Sequence, residues 1–410
     1  MTERLEAHFF RHAYARLVAS FVRRIGPRHL ESVEDAVQSA LLVAVQTWPR
    51  QSLPNDPMAW LYRVAQRQLA SELRRAARHG ELAAKHLLDD EDTPDVDVGS
   101  LSGDFREELL RMLFVCCDDA IPVESQLVLA LKTLCGFGVS EIAERLFMTE
   151  ANVYKRLERA RHRLHDMPLA DIERTPAQQS ARLPSVHAVL YTLFSEGHLS
   201  SHAEGAIRRE LCDDAVRLAT MLAEHPIGAT PAGFALVAVM YLHRARLSAR
   251  QDGSGGLLLL EEQDRARFDP DDIAAGLTWL ARAAQGSTIS RYHAEAGIAA
   301  EHCLARTFAE TRFDRIVDYY ELLERLAPSA LHTLNRAVAL AELRGPEEAL
   351  SILAGLEPPS WLAGSYQWSA VLSDLHRRTG RVDEAHRCRE AALSSAPSDV
   401  IRETLARRLR

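Results

Sequence analysis

Basic side chains recur at helical spacing within one stretch, GVSEIAERLFMTEANVYKRLERARHRL, at positions 138–164. In its second half Lys155, Arg159 and His162 fall on one side of a predicted helix. The opposite side carries an apolar stripe: Val153, Leu157, Ala160 and Leu164. A helix that is apolar on one side and basic on the other suits the major groove of DNA. A salt-bridged, solvent-facing helix in an all-helical protein would show the same pattern, and periodicity alone does not separate the two.

Two short helices joined by a tight turn are predicted to position these residues. Ser140 is expected to cap the first helix, and Thr149 the second through its side-chain oxygen. Phe147 and Met148 form the predicted turn. One side of the first helix is apolar: Ile142, Ala143 and Leu146. The stretch therefore predicts a helix-turn-helix unit.

A second basic set lies upstream, in a helix predicted from about 58 to 79. Arginines and aromatic residues alternate there: Arg63, Arg67, Arg74, Arg75 and Arg78 stand beside Trp60 and Tyr62. Guanidinium groups bind phosphates and rings stack on bases, so the combination suits single-stranded or distorted DNA. An ordinary arginine-rich, solvent-facing helix would have the same composition.

The helix predicted before it, from about 32 to 48, has two distinct faces. An inward apolar stripe is expected from Val33, Val37, Leu41, Val45 and Trp48. Another face carries Glu31, Asp35, Gln38 and Leu42 at spacings i, i+4, i+7 and i+11. The loop PRQSLPNDP (49–57) separates this helix from the arginine-rich one.

Length and composition set the outer limits. A chain of 410 residues can hold two or three domains, each with its own core. No run of 18 apolar residues occurs and the N-terminus lacks an apolar signal segment, which predicts a soluble, cytoplasmic protein with no membrane partner. The 6 cysteines form no CxxC pair and the 17 histidines no metal-binding pattern. Buried thiols are therefore expected, and neither a metal nor a cofactor is assigned.

The net charge of −8 hides an uneven distribution. Residues 1–80 contain 12 Lys and Arg against 7 Asp and Glu, whereas 81–101 contain 1 against 7. The acidic segment has no apolar period and is predicted to be an extended or mobile linker before a second helical module at 102–168. The segment either lies, as a negatively charged chain, in a basic channel that otherwise binds nucleic acid, or it is a soluble tether. Overall acidity does not argue against DNA binding, because the basic residues are concentrated in particular helices.

The remaining residues, 180–410, are predicted to be helical throughout. GPEEAL (345–350) and GRVDEA (380–385) place Ala349 and Ala385 in matching positions of a repeat of about 34–36 residues. The repeats are clearest at 292–397. Arrays of this kind stack helix pairs into a superhelix with a concave surface.

The two N-terminal modules together resemble the extracytoplasmic-function (ECF) sigma factors of bacteria. EDAVQSALLVAVQTWP (34–49) resembles the family's helix that binds the RNA polymerase clamp. PMAWLYRVAQRQLASELRR (57–75) resembles the segment that melts and reads the −10 element, and 138–164 resembles the −35 reader. Later segments resemble the tetratricopeptide-like extension of one subgroup: LYTLFSEGH (190–198), LLLLEEQDRARFD (257–269), RYHAEAGIAAEHC (291–303) and LNRAVALAE (334–342).

The resemblance implies an all-α fold and a role for each matching position. The order is a sigma region 2 bundle, an acidic linker, a sigma region 4 helix-turn-helix domain and a helical repeat array. Core polymerase binding is implied for Asp35, Gln38 and Leu42. Contacts to the −10 element are implied for Asn55, Trp60, Arg63, Arg67, Arg74 and Arg75. Contacts to the −35 element are implied for Asn152, Tyr154, Lys155, Arg156 and Arg159, with Arg156 to the side, nearer the DNA backbone.

Four positions depart from the family pattern. Ser39 stands where Glu is usual, which weakens one expected clamp contact. Arg67 and Ser71 replace a usual Asn and Asp, and Glu158 replaces an aromatic or neutral residue. An acid near phosphates costs affinity unless it accepts from a cytosine amine, so the promoter sequence is expected to differ from that of relatives.

The resulting hypothesis is a dissociable initiation subunit that binds core RNA polymerase and promoter DNA. The C-terminal array would regulate it, through a protein or peptide in its groove or by packing on the sigma domains. The alternative is a helix-turn-helix regulator with a sensory repeat domain that does not replace the housekeeping sigma factor, although such a regulator has no need of the 31–42 face. A third interpretation, a hydrolase or transferase within 185–290, lacks a nucleophile motif. Its most enzyme-like residues are explained as polar helix ends or network residues: Glu196, His198, His202, Glu261, Glu262 and Asp264.

Overall fold

In the computed structural model, the described residues are 2–49, 53–77, 98–146, 148–167, 175–198, 208–252 and 258–409. Over these ranges the chain forms helices and no β-strand, which confirms the all-α prediction. The chain divides into two compact units, Met1–Thr192 and Leu193–Arg410. Among the described helices, none has the length and hydrophobicity of a membrane span.

Eight helices carry the described part of the first unit, and the last of them continues past the unit boundary. They are α1 (Thr2–Ile25), α2 (Leu30–Thr47), α3 (Pro57–Ala77), α4 (Val98–Cys116), α5 (Val123–Thr133), α6 (Val139–Arg145), α7 (Glu150–His165) and α8 (Pro176–His198). A 3-10 turn, Pro27–His29, precedes α2. Large side chains from α1, α3 and α4 fill the core, among them Leu17, Phe21, Leu61 and Leu113. The core therefore joins residues before and after the acidic segment.

The inward stripe of α2 differs from the prediction at its C-terminal end. Val33 and Val37 are buried, but Val45 is 53% exposed. Residues four apart drift by about 40° around a helix, so Val45 lies about 120° from Val33. Alanines take the buried positions instead: Ala36, Ala40 and Ala44. Their small side chains let α2 pack closely on its neighbours.

Two helix starts also differ from the prediction. α4 begins at Val98, so residues 98–101 are helical and not extended, while 81–97 lie outside the described residues. α8 begins at Pro176, four residues before the predicted start of the helical extension at 180, and includes Pro184. A capping box explains this start, because Thr175 Oγ1 accepts from the Gln178 N–H and Gln178 Oε1 accepts from the Thr175 N–H.

The second unit continues with eleven helices in its described part. They are α9 (Arg209–Glu224), α10 (Pro231–Arg244), α11 (Pro270–Ala283), α12 (Arg291–Leu304), α13 (Phe313–Leu326), α14 (Ala330–Arg344), α15 (Pro346–Ala354), α16 (Ser360–Ala363), α17 (Tyr366–Arg378), α18 (Val382–Ser394) and α19 (Asp399–Arg408). Two 3-10 turns, Leu247–Ala249 and Arg265–Arg267, lie between α10 and α11. The predicted helical extension is therefore present.

The two predicted repeat turns share an unusual backbone conformation. Gly345 and Gly380 have φ of +102° and +75°, which glycine adopts without the steric cost of a Cβ. Each is followed within two residues by a helix that packs on the one before it. Ala349 is fully buried at the helix contact, whereas its predicted counterpart Ala385 is half-buried and Ala392, seven residues later, is fully buried. The helix pairs agree with the periodicity, and their tetratricopeptide-like character stays a prediction.

Candidate polymerase and DNA interface

The face of α2 predicted to bind polymerase is exposed. Asp35, Gln38 and Leu42 all point to solvent and, with Glu31, lie within about 60° around the helix axis. Val45 extends this strip, because it is exposed and lies at a similar angle. Sequence reasoning missed Val45 because it assigned this residue to the core. The strip therefore pairs polar groups with two exposed apolar side chains.

Glu34, one residue before Asp35, points the other way and is only 2% exposed. Its Oε1 accepts from the Tyr14 hydroxyl at 3.1 Å, and its Oε2 accepts from Arg161 Nη2 at 2.5 Å. Arg161 Nη1 also donates to Glu31 at 3.1 Å. Burial and the Glu34 carboxylate raise the pKa of Tyr14 well above its usual value. These contacts tie α7 to α2.

Other contacts join the same two regions. The Lys132 ammonium lies 5.2 Å from the centroid of the Tyr14 ring, and burial lowers the pKa of Lys132. The Arg11 guanidinium lies 4.7 Å from the Phe137 ring centroid. Gly136 approaches the Arg11 carbonyl so closely that a Cβ at Gly136 would lie 2.7 Å from that oxygen. The helix-turn-helix region is therefore packed on α1 and α2.

A cavity of about 650 Å³ opens at this junction. Asp35 and Gln38, predicted to bind polymerase, line it together with Tyr154, predicted to bind the −35 element. Leu42 does not line it. The structure thus brings together residues that the sequence assigned to two different partners.

The helix-turn-helix unit forms where the sequence placed it. Thr149 Oγ1 accepts from the Asn152 N–H at 3.3 Å, which confirms the predicted cap of α7. The predicted cap of α6 is wrong: α6 begins at Val139, and Ser140 lies inside it. Glu141 Oε2 instead accepts from the Gly138 N–H at 2.7 Å, because a glutamate three residues into the helix reaches back over its first turn. Phe147 lies outside the described residues.

The buried stripe of α7 is confirmed, since Val153, Leu157, Ala160 and Leu164 are all buried. Asn152, Lys155 and Arg159 are exposed and lie within about 60° of one another on the outward side. Tyr154 lies about 100° from Lys155, on the flank that faces α2, and Arg156 is half-buried on the other flank. The residues predicted to bind the −35 element are therefore divided between the outward side of α7 and its two flanks.

On α3 the basic residues form a continuous strip. Arg63, Arg67 and Arg74 are exposed and lie within about 40° of one another, with Trp60 on the same side. Arg75 is exposed but lies about 100° from Arg74. The Asp56 carboxylate accepts from the Ala59 N–H at 2.9 Å and so stabilises the start of α3, next to the exposed Asn55. Arg78 lies outside the described residues.

Only one of the two aromatic residues predicted to stack on bases is available. Tyr62 is buried and its ring stacks on Phe21, with 4.9 Å between ring centroids. The 100° step between Arg63 and Tyr62 turns Tyr62 into the core. Trp60 is half-buried, and its ring centroid lies 5.6 Å from that of Trp48. The Trp48 ring in turn stacks on Phe10, with 5.7 Å between ring centroids. Trp60 therefore stays a candidate base contact.

The enzyme-like clusters have structural roles where they are described. Glu262 Oε2 accepts from the Leu259 N–H, and Asp264 Oδ1 accepts from the Ala266 N–H, so both stabilise turns. His198 is buried against Arg250 and His243, while His202 lies outside the described residues. Within the described ranges no three His, Cys, Asp or Glu residues are grouped to hold a metal ion.

Comparison with known proteins identifies matches in three parts of the chain. Residues 10–79 match sigma-70 region 2, residues 111–172 match sigma-70 region 4, and residues 182–284 match a family of unknown function (DUF6596). An uncharacterized protein of Rhizobium meliloti (strain 1021) is 33% identical over 371 residues, which are 90% of this chain and 87% of that protein. No solved structure matches the chain.

Proposed function

We propose that this chain, which belongs to the same family as the Rhizobium meliloti protein, is an ECF-type sigma factor that selects promoters by their −10 and −35 elements. The proposal proceeds from the presence of sigma-70 regions 2 and 4, which make the chain an RNA polymerase sigma factor with a C-terminal helical extension. The factor would act in the cytoplasm with core polymerase. The observation that carries the proposal is the presence of three exposed contact strips, one each on α2, α3 and α7.

Each strip suits a different partner. The α2 strip offers two carboxylates, an amide and two apolar side chains to a protein surface, without a basic residue among them. The α3 strip offers three guanidinium groups to phosphates and one ring to a base. The outward side of α7 offers Asn152, Lys155 and Arg159 to the major groove. Two DNA contacts on one chain gain affinity from effective concentration, so each can be weak alone.

The α2 strip separates this proposal from a conventional helix-turn-helix regulator. Run-off transcription with core polymerase, a promoter library and no other sigma factor tests it directly. Asp35→Ala with Gln38→Ala is expected to reduce co-elution with polymerase and transcription by tenfold or more, because two polar contacts of about 1 kcal/mol each are lost. Asp383→Ala, an exposed change on α18, serves as the control. Full transcription by the double variant would contradict the proposal.

The C-terminal extension is proposed to regulate initiation positively. A truncation test must keep the first half of α8, because Arg182 Nη1 donates to Asp118 at 3.0 Å and Ser185 donates to Asp119 at 2.9 Å. Ending the chain after Thr192 follows the boundary between the units and retains both contacts. Reduced promoter activity is expected. Unchanged activity would reduce the extension to an appendage.

A further inference from the structure

A cavity of about 820 Å³ lies within the second unit, and its wall contains one buried and one half-buried arginine. Arg246 and Arg250 flank the 3-10 turn Leu247–Ala249. Arg246 is only 7% exposed, and both Arg246 and Arg250 line the cavity. The segment around this turn therefore brings two positive charges to one wall.

The partners of these arginines are neutral. Arg246 Nη2 donates to Gln263 Oε1 at 3.1 Å, its guanidinium lies 5.8 Å from the Phe268 ring centroid, and its Nε is buried without an acceptor among the described residues. Arg250 Nη1 donates to the His198 carbonyl at 2.8 Å and lies 2.6 Å from His198 Nε2. Within the described ranges, neither arginine forms an ion pair with a carboxylate.

Three histidines surround the pair and add no negative charge. Burial lowers the pKa of His243 and His302 to about 3, and that of His198 well below its usual value. Burial also lowers the pKa of Arg250, to about 10, which leaves it a cation at neutral pH. The cluster therefore holds one buried and one half-buried positive charge, and no described carboxylate pairs with either. Such a charge is costly unless an anion pairs with it.

Three carboxylates line the cavity, Glu261, Glu342 and Asp374, and the last two pair with other arginines. Glu342 accepts from Arg378 at 2.5 Å, and Asp374 accepts from Arg377 at 2.7 Å. Apolar side chains cover much of the remaining wall: Leu258, Leu260, Phe313, Val338 and Leu405. The cavity thus combines a cationic end with an apolar surface, in the size range of sites for small organic molecules.

We propose that this cavity binds a small organic anion, with a carboxylate or phosphate head between Arg246 and Arg250 and an apolar body along the leucine-rich wall. The planar guanidinium groups can each donate two parallel hydrogen bonds to such a head. Gln263 and His198 hold the two arginines in place for it. The site is a property of the second unit and does not depend on the promoter function.

Thermal unfolding of the full-length protein tests the proposal with defined probes. Octanoate and octyl phosphate carry the same apolar chain with the two candidate heads, and octylamine carries it with a positive one. At about one hundred times its Kd, a bound anion should raise the midpoint by about 5–10 °C. The larger rise identifies the preferred head. No rise with either anion, or an equal rise with octylamine, overturns the proposal.

Two variants separate anion binding from a structural role of the arginines. Gln263→Glu puts a carboxylate beside Arg246, so it should raise the midpoint without ligand and weaken octanoate or octyl phosphate binding at least tenfold. Arg246→Met with Arg250→Met should abolish binding, while Arg344→Met, an exposed arginine on α14, should leave it unchanged. If the Gln263→Glu variant binds the anions as tightly as the parent protein does, the proposed site is wrong. Because this change is nearly isosteric, the test remains valid even if the double arginine variant fails to fold.

Discussion

The replacement Arg161→Met should separate the helix-turn-helix region from α2. It removes the only described cation that is hydrogen-bonded to Glu34 and leaves the carboxylate with the Tyr14 hydroxyl. Removing one partner of a fully buried ion pair costs about 3–5 kcal/mol. Arg161 itself is 26% exposed, so solvent screening reduces the expected cost to about 2–4 kcal/mol. If the interface opens, Glu34 reaches water and the cost is limited to the free energy that holds the two regions together.

Urea unfolding and hydrogen exchange measure these effects separately. A double-mutant cycle with Glu34→Gln should give a coupling energy of about 1–3 kcal/mol. Faster amide exchange in α2 and α7 would show that the interface opens. Arg163→Met is the matched control, because this exposed arginine on the same helix lies 3.9 Å from Asp118 and should contribute less than about 1 kcal/mol. Stability and exchange that match the parent within about 0.5 kcal/mol would refute the reasoning.

The same variant also bears on polymerase binding. Asp35 and Gln38 share a cavity wall with Tyr154, so a protein that enters this cavity to reach the α2 strip would displace α7. The displacement costs the free energy of the contact, and Arg161→Met removes part of that cost. Tighter co-elution with core polymerase is therefore expected. Weaker co-elution would mean that Arg161 itself contacts polymerase.

Three further predictions follow from separate features. Gly136→Ala should lower the free energy of unfolding by about 1–3 kcal/mol, because φ is +71° and the new Cβ would meet a backbone oxygen; urea unfolding measures it. Lys155→Ala and Arg159→Ala should each weaken binding to −35 DNA in a salt titration. Where a phosphate contact is lost, the slope of the logarithm of the binding constant against the logarithm of the salt concentration should decrease in magnitude by about 1. His243, whose pKa is about 3 when folded, takes up a proton more readily when unfolded, so stability should fall as pH drops from about 6.5 to about 3. His243→Gln should flatten that profile in pH-dependent thermal unfolding.

The sequence was sufficient to predict the helices and to predict which of their faces are exposed in most cases. The stripe of α7 and the Thr149 cap follow from short-range spacing, which a single helix reveals. Val45 was wrongly assigned to the core and Tyr62 to the base-stacking face. Both predictions relied on residue type and did not follow the angle of each residue around the helix axis. In each case a helical-wheel calculation would have supplied the missing signal.

The tertiary contacts were beyond local patterns. Glu34 and Arg161 are 127 positions apart, and their pairing depends on how α2 and α7 pack. The only local hint was that Arg161 lies at the edge of the α7 apolar stripe. The arginine pair of the second unit was missed for a similar reason, since Gln263 and His198 come from separate segments. Neutral partners of a buried cation leave no charge pattern in a sequence.

The contact between Glu34 and Arg161 also constrains how this family can change over time. Adjacent residues on α2 serve different purposes, because Glu34 holds α7 while Asp35 remains exposed. A relative that replaces the acid at position 34 leaves the guanidinium at position 161 without this ion-pair partner. A relative that replaces the arginine at position 161 leaves the acid at position 34 without its cation. The two positions should therefore covary across related sequences, while position 35 should follow the polymerase surface of each host.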